Sequence, residues 1–328
     1  MLFINDLPEG LSPGTDLALY ADDTKIARRI NTIQDEYILQ KDIDYLNTWA
    51  TANKMKFHPK KCKVLPVRLS PPPYLGVLPF VQHSYSLGGE ALDVVDTETD
   101  LGVEVTSTLN WSKQCDKLYI RAKQRLGMIK RNAYFVVDPK KRRLLAISLV
   151  RSQYEHCSII SRPTTTTMTN KLESSQKVFI KWILNEENIS YAHWPTYLSK
   201  CKQVNLLPLS DYMDLKDLID FHKVVYGILP ITLPDYLTFF SGQSRLRRTH
   251  LDSLSLVSSI TPRSPSNAFA TSFFFRTHCK WNSLPRETRE IECPKAFKTE
   301  VIALLWTRLQ QSAMEDYPED GVEFIDNG

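Results

Sequence analysis

The sequence predicts an α+β fold, with short strands and turns to about residue 110 and a mainly helical chain after it. Three observations carry that expectation. An apolar strand, Asp16–Tyr20, and an alternating one, Thr24–Arg28, flank Ala21-Asp22-Asp23, whose residue types suit a tight turn. Ile38, Leu39, Ile43, Leu46, Trp49 and Ala50 recur at helical spacing. From residue 112 to residue 160 the helical pattern persists, and basic side chains crowd it.

In chain order, Leu7-Pro8-Glu9-Gly10 and Ser12-Pro13-Gly14 are turn-rich and lead into the two strands. A helix is expected over 32–55, with Thr32 as its cap and Asp35 and Glu36 in the first turn, where the helix dipole favours acids. Pro59 stops helix, and Cys62 to Val67 reads as a strand. Ser70-Pro71-Pro72-Pro73 is a stiff connector. Residues 74–110 read as short strands with turns at Gly88-Gly89 and at Thr97–Asp100.

Helices then follow: Lys113 to Arg131, Pro139 to His156, Lys171 to Leu184 after a polar break at Thr164–Thr169, and Leu209 to Ile228. Residues 240–275 read as loop or strand, and Phe273–Trp281 and Pro294–Leu309 as the last ordered elements. Disorder is expected from Gln310. Four regions result, at 1–110, 111–162, 163–309 and 310–328.

The chain has 328 residues, 42% of them apolar and 24% charged, which argues against general disorder. Its net charge of +4 conceals an asymmetry. The last basic residue is Arg308, and six acids follow it; the rest carries 41 basic against 31 acidic side chains. A body of that sign can hold a polyanion, while the tail repels one. Many enzymes are as basic, so total charge decides little. Six scattered cysteines without a CxxC read as reduced thiols of a cytosolic or nuclear protein. His278, Cys279 and Cys293 fit no zinc finger or knuckle spacing. No signal peptide and no membrane-length apolar run is visible. The protein is therefore expected in the nucleus or cytoplasm, neither secreted nor membrane-bound.

The tetrapeptide Tyr20-Ala21-Asp22-Asp23 is the candidate for chemistry. Nucleotidyl transfer uses two metal ions, and magnesium prefers a few carboxylates together with phosphate and water oxygens. A strand–turn–strand with acids at the bend can present such ligands. Adjacent strand residues point to opposite faces, so Asp22 is expected as the direct ligand and Asp23 as the weaker contributor. By themselves, two aspartates in a hairpin turn are more often plain turn formers.

The surroundings add to the tetrapeptide. Phe3-Ile4-Asn5-Asp6-Leu7-Pro8 followed by Leu19–Lys25 resembles the palm of LINE-type (non-LTR, Jockey-like) retrotransposon reverse transcriptases. Leu39–Trp49 resembles that family's next helix. Phe57–Leu65 resembles its next strand, where the family usually has Asn in place of His58. Asp100-Leu101-Gly102-Val103 with Leu109-Asn110-Trp111 resembles the primer-grip hairpin and the step into the thumb. The likeness continues through Leu149-Val150-Arg151, Tyr154–Cys157, Leu172–Lys177, Leu206–Leu209, Trp281–Pro285 and Phe297-Lys298, so it covers roughly residues 1–309.

The resemblance implies a partial reverse-transcriptase palm followed by a helical thumb and C-terminal region, acting as an RNA-directed DNA polymerase. Its partners would be an RNA template, a DNA primer and deoxynucleoside triphosphates, and its cofactor Mg2+. Asp22 and Asp23 would bind the metals, and Lys61 would lie near the incoming triphosphate, unless it is a solvated lysine beside Lys60 and Lys63. Gly102 would let the backbone turn closely under the primer end, and Tyr20 would pack near the primer terminus or simply in the core. The family's palm supplies a further aspartate on an earlier strand. Only 19 residues precede Tyr20, and Asp6 and Asp16 belong to the loop blocks above. The expectation is a truncated chain, inactive alone, whose fingers come from an upstream portion or a partner.

Residues 113–151 carry twelve basic side chains against Asp116 and Asp138 alone. Lys113, Lys117, Arg121 and Arg125, four residues apart, would form one stripe on a helix. Lys130, Arg131, Lys140, Lys141, Arg142 and Arg143 extend the candidate phosphate-tracking surface. A merely solvated helix face usually mixes signs. Arg245, Arg247 and Arg248 form a weaker second patch, and Phe273-Phe274-Phe275 reads as core. The competing reading is a non-catalytic RNA- or DNA-binding remnant of a retroelement. A folded remnant without a biochemical role stands behind both.

Overall fold

The computed structural model describes residues 7–68, 84–190, 196–240, 252–261 and 268–315. The segments Phe3–Asp6, Ser70–Pro73, Arg245–Arg248 and the chain after Glu315 lie outside the described residues. Two units divide the chain, Met1–Leu109 and Asn110–Gly328, one residue from the first expected boundary.

Unit 1 is built on a hairpin and a helix. Strands β1 (Thr15–Tyr20) and β2 (Asp23–Arg28) pair antiparallel, with Tyr20 opposite Asp23 and Leu17 opposite Ile26. Alternation sends Leu17 and Ile26 to one face, where they pack with Leu46, Trp49 and Ala50 of helix α1 (Ile33–Ala52). The caps of α1 are as the sequence suggests. Thr32 accepts from the Asp35 N–H, and Asp35 in turn accepts from the Thr32 N–H at 3.0 Å, a reciprocal capping box. The helix ends at Ala52 rather than at residue 55.

The remaining strands are short. A 3-10 turn (Pro59–Lys61) leads into β3 (Lys63–Val64), which pairs parallel with β6 (Asp93–Val94). The strand expected over Cys62–Val67 is thus only two residues long. Strands β4 (Ser86–Leu87) and β5 (Glu90–Ala91) close over Gly88-Gly89, as their residue types require. Thr97–Asp100 is strand β7, paired with β8 (Val103–Thr106), and not the expected turn. The turn is displaced to Leu101-Gly102, because Thr97-Glu98-Thr99 has strand-forming residues while Gly102 supplies a left-handed backbone.

Unit 2 is helical. Helix α2 (Ser112–Asn132) buries Cys115, Leu118, Ala122, Leu126 and Ile129 along one stripe. It packs on α5 (Thr166–Ile183) and on a continuous helical run formed by α3 (Pro139–Leu145), a π-helical turn (Ala146–Arg151) and α4 (Ser152–Glu155). Both sides of the expected 162/163 boundary lie within this unit. Helix α5 starts five residues before Lys171, since Thr165 caps it by accepting from the Met168 N–H. The π-turn and the short α6 (Tyr197–Gln203) leave no periodic signature in the sequence.

Helix α7 (Leu209–Val225) ends before Ile228 because Gly227 adopts a positive φ and returns its N–H to Val224. Strands β9 (Leu237–Phe239) and β10 (Leu256–Ser258) pair antiparallel. Helices α8 (Phe273–Asn282), α9 (Arg286–Arg289) and α10 (Pro294–Glu315) complete the unit. Gln310–Glu315 belongs to α10 and is not a disordered tail. Leu215, Leu218, Phe221, Trp281, Phe297 and Val301 form the core here. Each such side chain contributes about 1.5–3 kcal/mol when fully buried. No helix among the described residues is long and apolar enough to cross a membrane.

Candidate active site and nucleic-acid interface

The β1–β2 turn consists of Ala21 and Asp22 alone, because Tyr20 and Asp23 are already a ladder pair. Ala21 has φ 54°, a left-handed value, whereas Asp22 does not. A left-handed residue in a two-residue hairpin turn is most often glycine or asparagine. An L-residue there carries a cost of roughly 1–2 kcal/mol. Asp22 and Asp23 are both exposed at the tip. Tyr20, beside them, is 65% exposed, so the core-packing alternative for its ring does not hold.

The base of the hairpin is pinned from α1. Asp42, 1% exposed, accepts from the Ser12 N–H at 3.0 Å, the Ser12 hydroxyl at 2.7 Å and the Thr15 hydroxyl at 2.6 Å. Three donors satisfy a buried carboxylate that would otherwise be costly. Arg28 at the far end of β2 donates to the Pro13 carbonyl and the Thr15 hydroxyl, both at 3.0 Å, and to Asp35 at 3.2 Å. A signal for Asp42 exists in the sequence: it lies on the apolar stripe of α1, four residues from both Ile38 and Leu46.

Gly102, with φ 85°, closes the β7–β8 hairpin together with Leu101 at φ 46°. Positive φ at both central positions marks a I′ turn. Lys25 of β2 forms an ion pair with Asp100, the residue before this turn. The two hairpins named in the sequence, at Asp22-Asp23 and at Gly102, are thereby linked side chain to side chain. Lys61 is exposed in the 3-10 turn before β3, while its neighbour Lys63 pairs with Asp93 at 2.5 Å.

Carboxylate oxygens at an exposed bend are donors of the type magnesium takes. Among the described residues, Asp22 and Asp23 belong to no group of three or more His, Cys, Asp or Glu that could hold a metal ion. His278, Cys279 and Cys293 form none either. All six cysteines are free thiols.

The basic residues of unit 2 divide into two sets. Lys113, Arg121, Arg125, Arg131, Lys140 and Lys141 are exposed, and Lys117 is half-buried. Lys130 forms an ion pair with Glu187. Arg142 is buried and Arg143 half-buried, and both spend their donors on the protein itself. Arg142 is 6% exposed and donates to the Val136 carbonyl at 2.6 Å, the Trp182 carbonyl at 2.7 Å and Asn185 at 2.5 Å. Its guanidinium also lies over the Trp182 ring, 5.1 Å from the centroid. Arg143 donates to the carbonyls of Val204 at 2.7 Å and Asn205 at 2.9 Å, beyond the end of α6. Both satisfy carbonyls at or just past helix C-termini, which a fork of donors does well. Arg151 is similarly committed, donating to Leu207 and stacking 3.8 Å over Tyr212.

The C-terminal blocks named in the sequence meet through hydrogen bonds. Tyr154 bonds Ser175. Glu173 accepts from the N–H groups of Leu209 and Ser210 at 2.8 and 3.2 Å, satisfying the first turn of α7. Gln176 donates to the Leu207 carbonyl at 2.9 Å. Asn282 both accepts from and donates to the backbone of Leu256, at 2.9 and 2.7 Å, acting as one more strand beside β10. These residues hold the fold rather than a ligand.

Comparison of the chain with protein-family models, with curated proteins and with solved structures finds no match.

Proposed function

We propose that the chain carries the catalytic turn, thumb and C-terminal region of an RNA-directed DNA polymerase of the LINE type. The observation that supports it most is the β1–β2 hairpin: two exposed carboxylates and an exposed tyrosine on a turn held in a costly left-handed backbone at Ala21. Local strain of this kind persists where the surrounding structure over-determines it, and it concentrates at functional sites. Asp42, Arg28 and the Lys25–Asp100 pair are that surrounding structure.

In this reading Asp22 and Asp23 hold magnesium, which supplies charge neutralisation for the transferring phosphoryl group. Tyr20 and the Gly102 turn position the primer end. The exposed side chains of α2 track phosphates. Two carboxylates are fewer than a two-metal site uses, so the chain binds primer–template but does not extend it unaided.

The test is primer extension on an RNA template with magnesium. The chain alone is expected to give no product. Supplied with the fingers and first palm strand of a LINE-type polymerase, it is expected to extend the primer, and Asp22→Ala or Asp23→Ala to abolish extension. Extension that survives both substitutions overturns the assignment of the turn. Extension by the chain alone, lost in both variants, overturns the need for a complementing portion.

A further inference from the structure

The connection between α2 and α3 presents two aromatic rings to solvent. Tyr134 is 75% exposed and Phe135 70%, with Val137 beside them at 67%. The two rings meet edge to face, 5.7 Å between centroids. Scattered exposed apolar residues need no explanation, but adjacent large ones on a fixed loop do.

The loop is held firmly from below. The Ala133 N–H bonds the Ile129 carbonyl at 2.7 Å, and the Val136 N–H bonds the Ala133 carbonyl at 3.1 Å. Buried Arg142 grips the Val136 carbonyl while it is itself anchored on α5 through Trp182. The rings are thus set on a rigid base and turned outward. Exposed cations flank the loop along the chain: Arg131 at the end of α2, and Lys140 and Lys141 at the start of α3. The one acid in the loop, Asp138, is engaged in capping α3 through the Lys140 N–H at 2.9 Å.

We infer that this tip is a stacking site for unpaired nucleotides. Exposed aromatic rings on a loop flanked in the chain by exposed cations, with its one acid engaged in a cap, match a single strand whose bases stack and whose phosphates are neutralised. A base-paired duplex offers its phosphates but hides its base faces. The tip therefore distinguishes single strands from duplex, and the exposed cations of α2 do not. The choice of nucleic acid as partner agrees with the proposed polymerase reading, yet the site stands on its own residues and needs neither Asp22 nor Asp23.

The experiment is fluorescence anisotropy on the full chain with a short labelled single strand, a duplex and an abasic strand of equal length. Tyr134→Ala/Phe135→Ala is compared with Phe135→Trp and with Arg121→Gln/Arg125→Gln. Both rings lie outside the core, so thermal unfolding of the first variant should match the parent. Removing a stacked base partner is expected to weaken single-strand binding about 5- to 100-fold. Duplex binding should stay unchanged, and Phe135→Trp should retain single-strand affinity. The abasic strand should bind the parent no better than it binds the alanine variant. Arg121→Gln/Arg125→Gln should weaken duplex and single strand alike. Unchanged single-strand affinity in Tyr134→Ala/Phe135→Ala, with duplex still bound by the parent, overturns the tip and leaves the polymerase reading standing. Loss of binding to anionic lipid vesicles instead of to the strand overturns it also, as a membrane contact. Absence of all nucleic-acid binding by the parent overturns both.

Discussion

Lys25 and Asp100 join two hairpins whose turns both use left-handed backbone, one at Ala21 and the other at Leu101-Gly102. The lysine side chain is 60% exposed and the carboxylate 37%, so solvent screens the pair. Lys25→Met is expected to cost only about 0.2–1 kcal/mol in urea unfolding of the chain. Backbone conformation matters more at both turns. Gly102→Val should cost more than Lys25→Met, because a β-branched side chain is disfavoured at φ 85°. Ala21→Gly should be neutral or stabilising, whereas Ala21→Val should destabilise by about 1 kcal/mol or more. Equal effects at Ala21 for glycine and valine would remove the strain argument.

Arg142 and Arg121 carry the same charge but differ in what they hold. Arg142→Ala leaves the Val136 and Trp182 carbonyls without their donor and vacates the space over the Trp182 ring. The expected loss is about 2–4 kcal/mol, since a buried polar group left unpaired costs about 1–3 kcal/mol. Arg142→Lys should not recover it, because an ammonium cannot span three acceptors as a planar fork does. Arg121→Ala, at an exposed site, should change stability by less than about 0.5 kcal/mol. Denaturant midpoints of the three variants decide this.

His222 makes unit 2 sensitive to acid. Its imidazole is fully buried, stacks on Phe297 at 4.3 Å between centroids, and meets the Ile291 carbonyl at 2.6 Å through Nε2. A carbonyl only accepts, so Nε2 carries the proton, and the buried Nδ1 would have to take the second one without a partner. Burial holds the group below its ordinary 6.5; the Ile291 bond opposes this and Lys223 assists it. The folded state therefore binds fewer protons than the unfolded state. The stability contribution is fully present above about pH 6.5 and is lost as pH falls from there through the lowered folded value. Burial displaces His278 in the same direction. Thermal unfolding followed from pH 7.5 to about 5 should show a falling midpoint, with a shallower fall in His222→Gln. A midpoint insensitive to pH, or one that rises, would contradict the assignment.

The thiols should separate by reactivity. Cys293 is exposed before α10, and the N–H groups of Ala296 and Lys295 hold its pKa below the ordinary thiol value. Burial pushes Cys115 up to about 11 and Cys201 up to about 12. Cys279 is exposed yet raised by partial burial. Alkylation at neutral pH, read by peptide mass spectrometry, should label Cys293 before Cys279, and Cys115 and Cys201 only after unfolding. Labelling of Cys279 ahead of Cys293 would contradict the local electrostatics.

Elements with periodic or capped sequences were legible, and those decided by tertiary contacts were not. The hairpin, the Thr32 cap and the stripe of α2 follow from local rules. The π-helical turn has no local signature, and the start of α5 was hidden because its first turn is a run of threonines that looks like a break. In the candidate site, Asp22 and Asp23 could be placed on a hairpin turn from local residue types, while singling them out as ligands needed the blocks around them. Lys25–Asp100 could not, because it spans 75 residues. Basic clustering marked residues 113–143 correctly as a charged region. It could not separate Arg121, which faces solvent, from Arg142, which is spent on helix-end carbonyls.

The central claim is that this chain holds a primer–template, and the most direct measurement is its affinity for an RNA–DNA hybrid as a function of salt. Binding should weaken linearly on logarithmic axes as salt rises. Arg121→Gln/Arg125→Gln should lower the slope by about 2, near one for each phosphate contact removed. Arg142→Lys, at a position turned away from the surface, should leave the slope of the folded protein unchanged. No detectable binding at low salt, or a slope indifferent to the α2 arginines, would contradict the account.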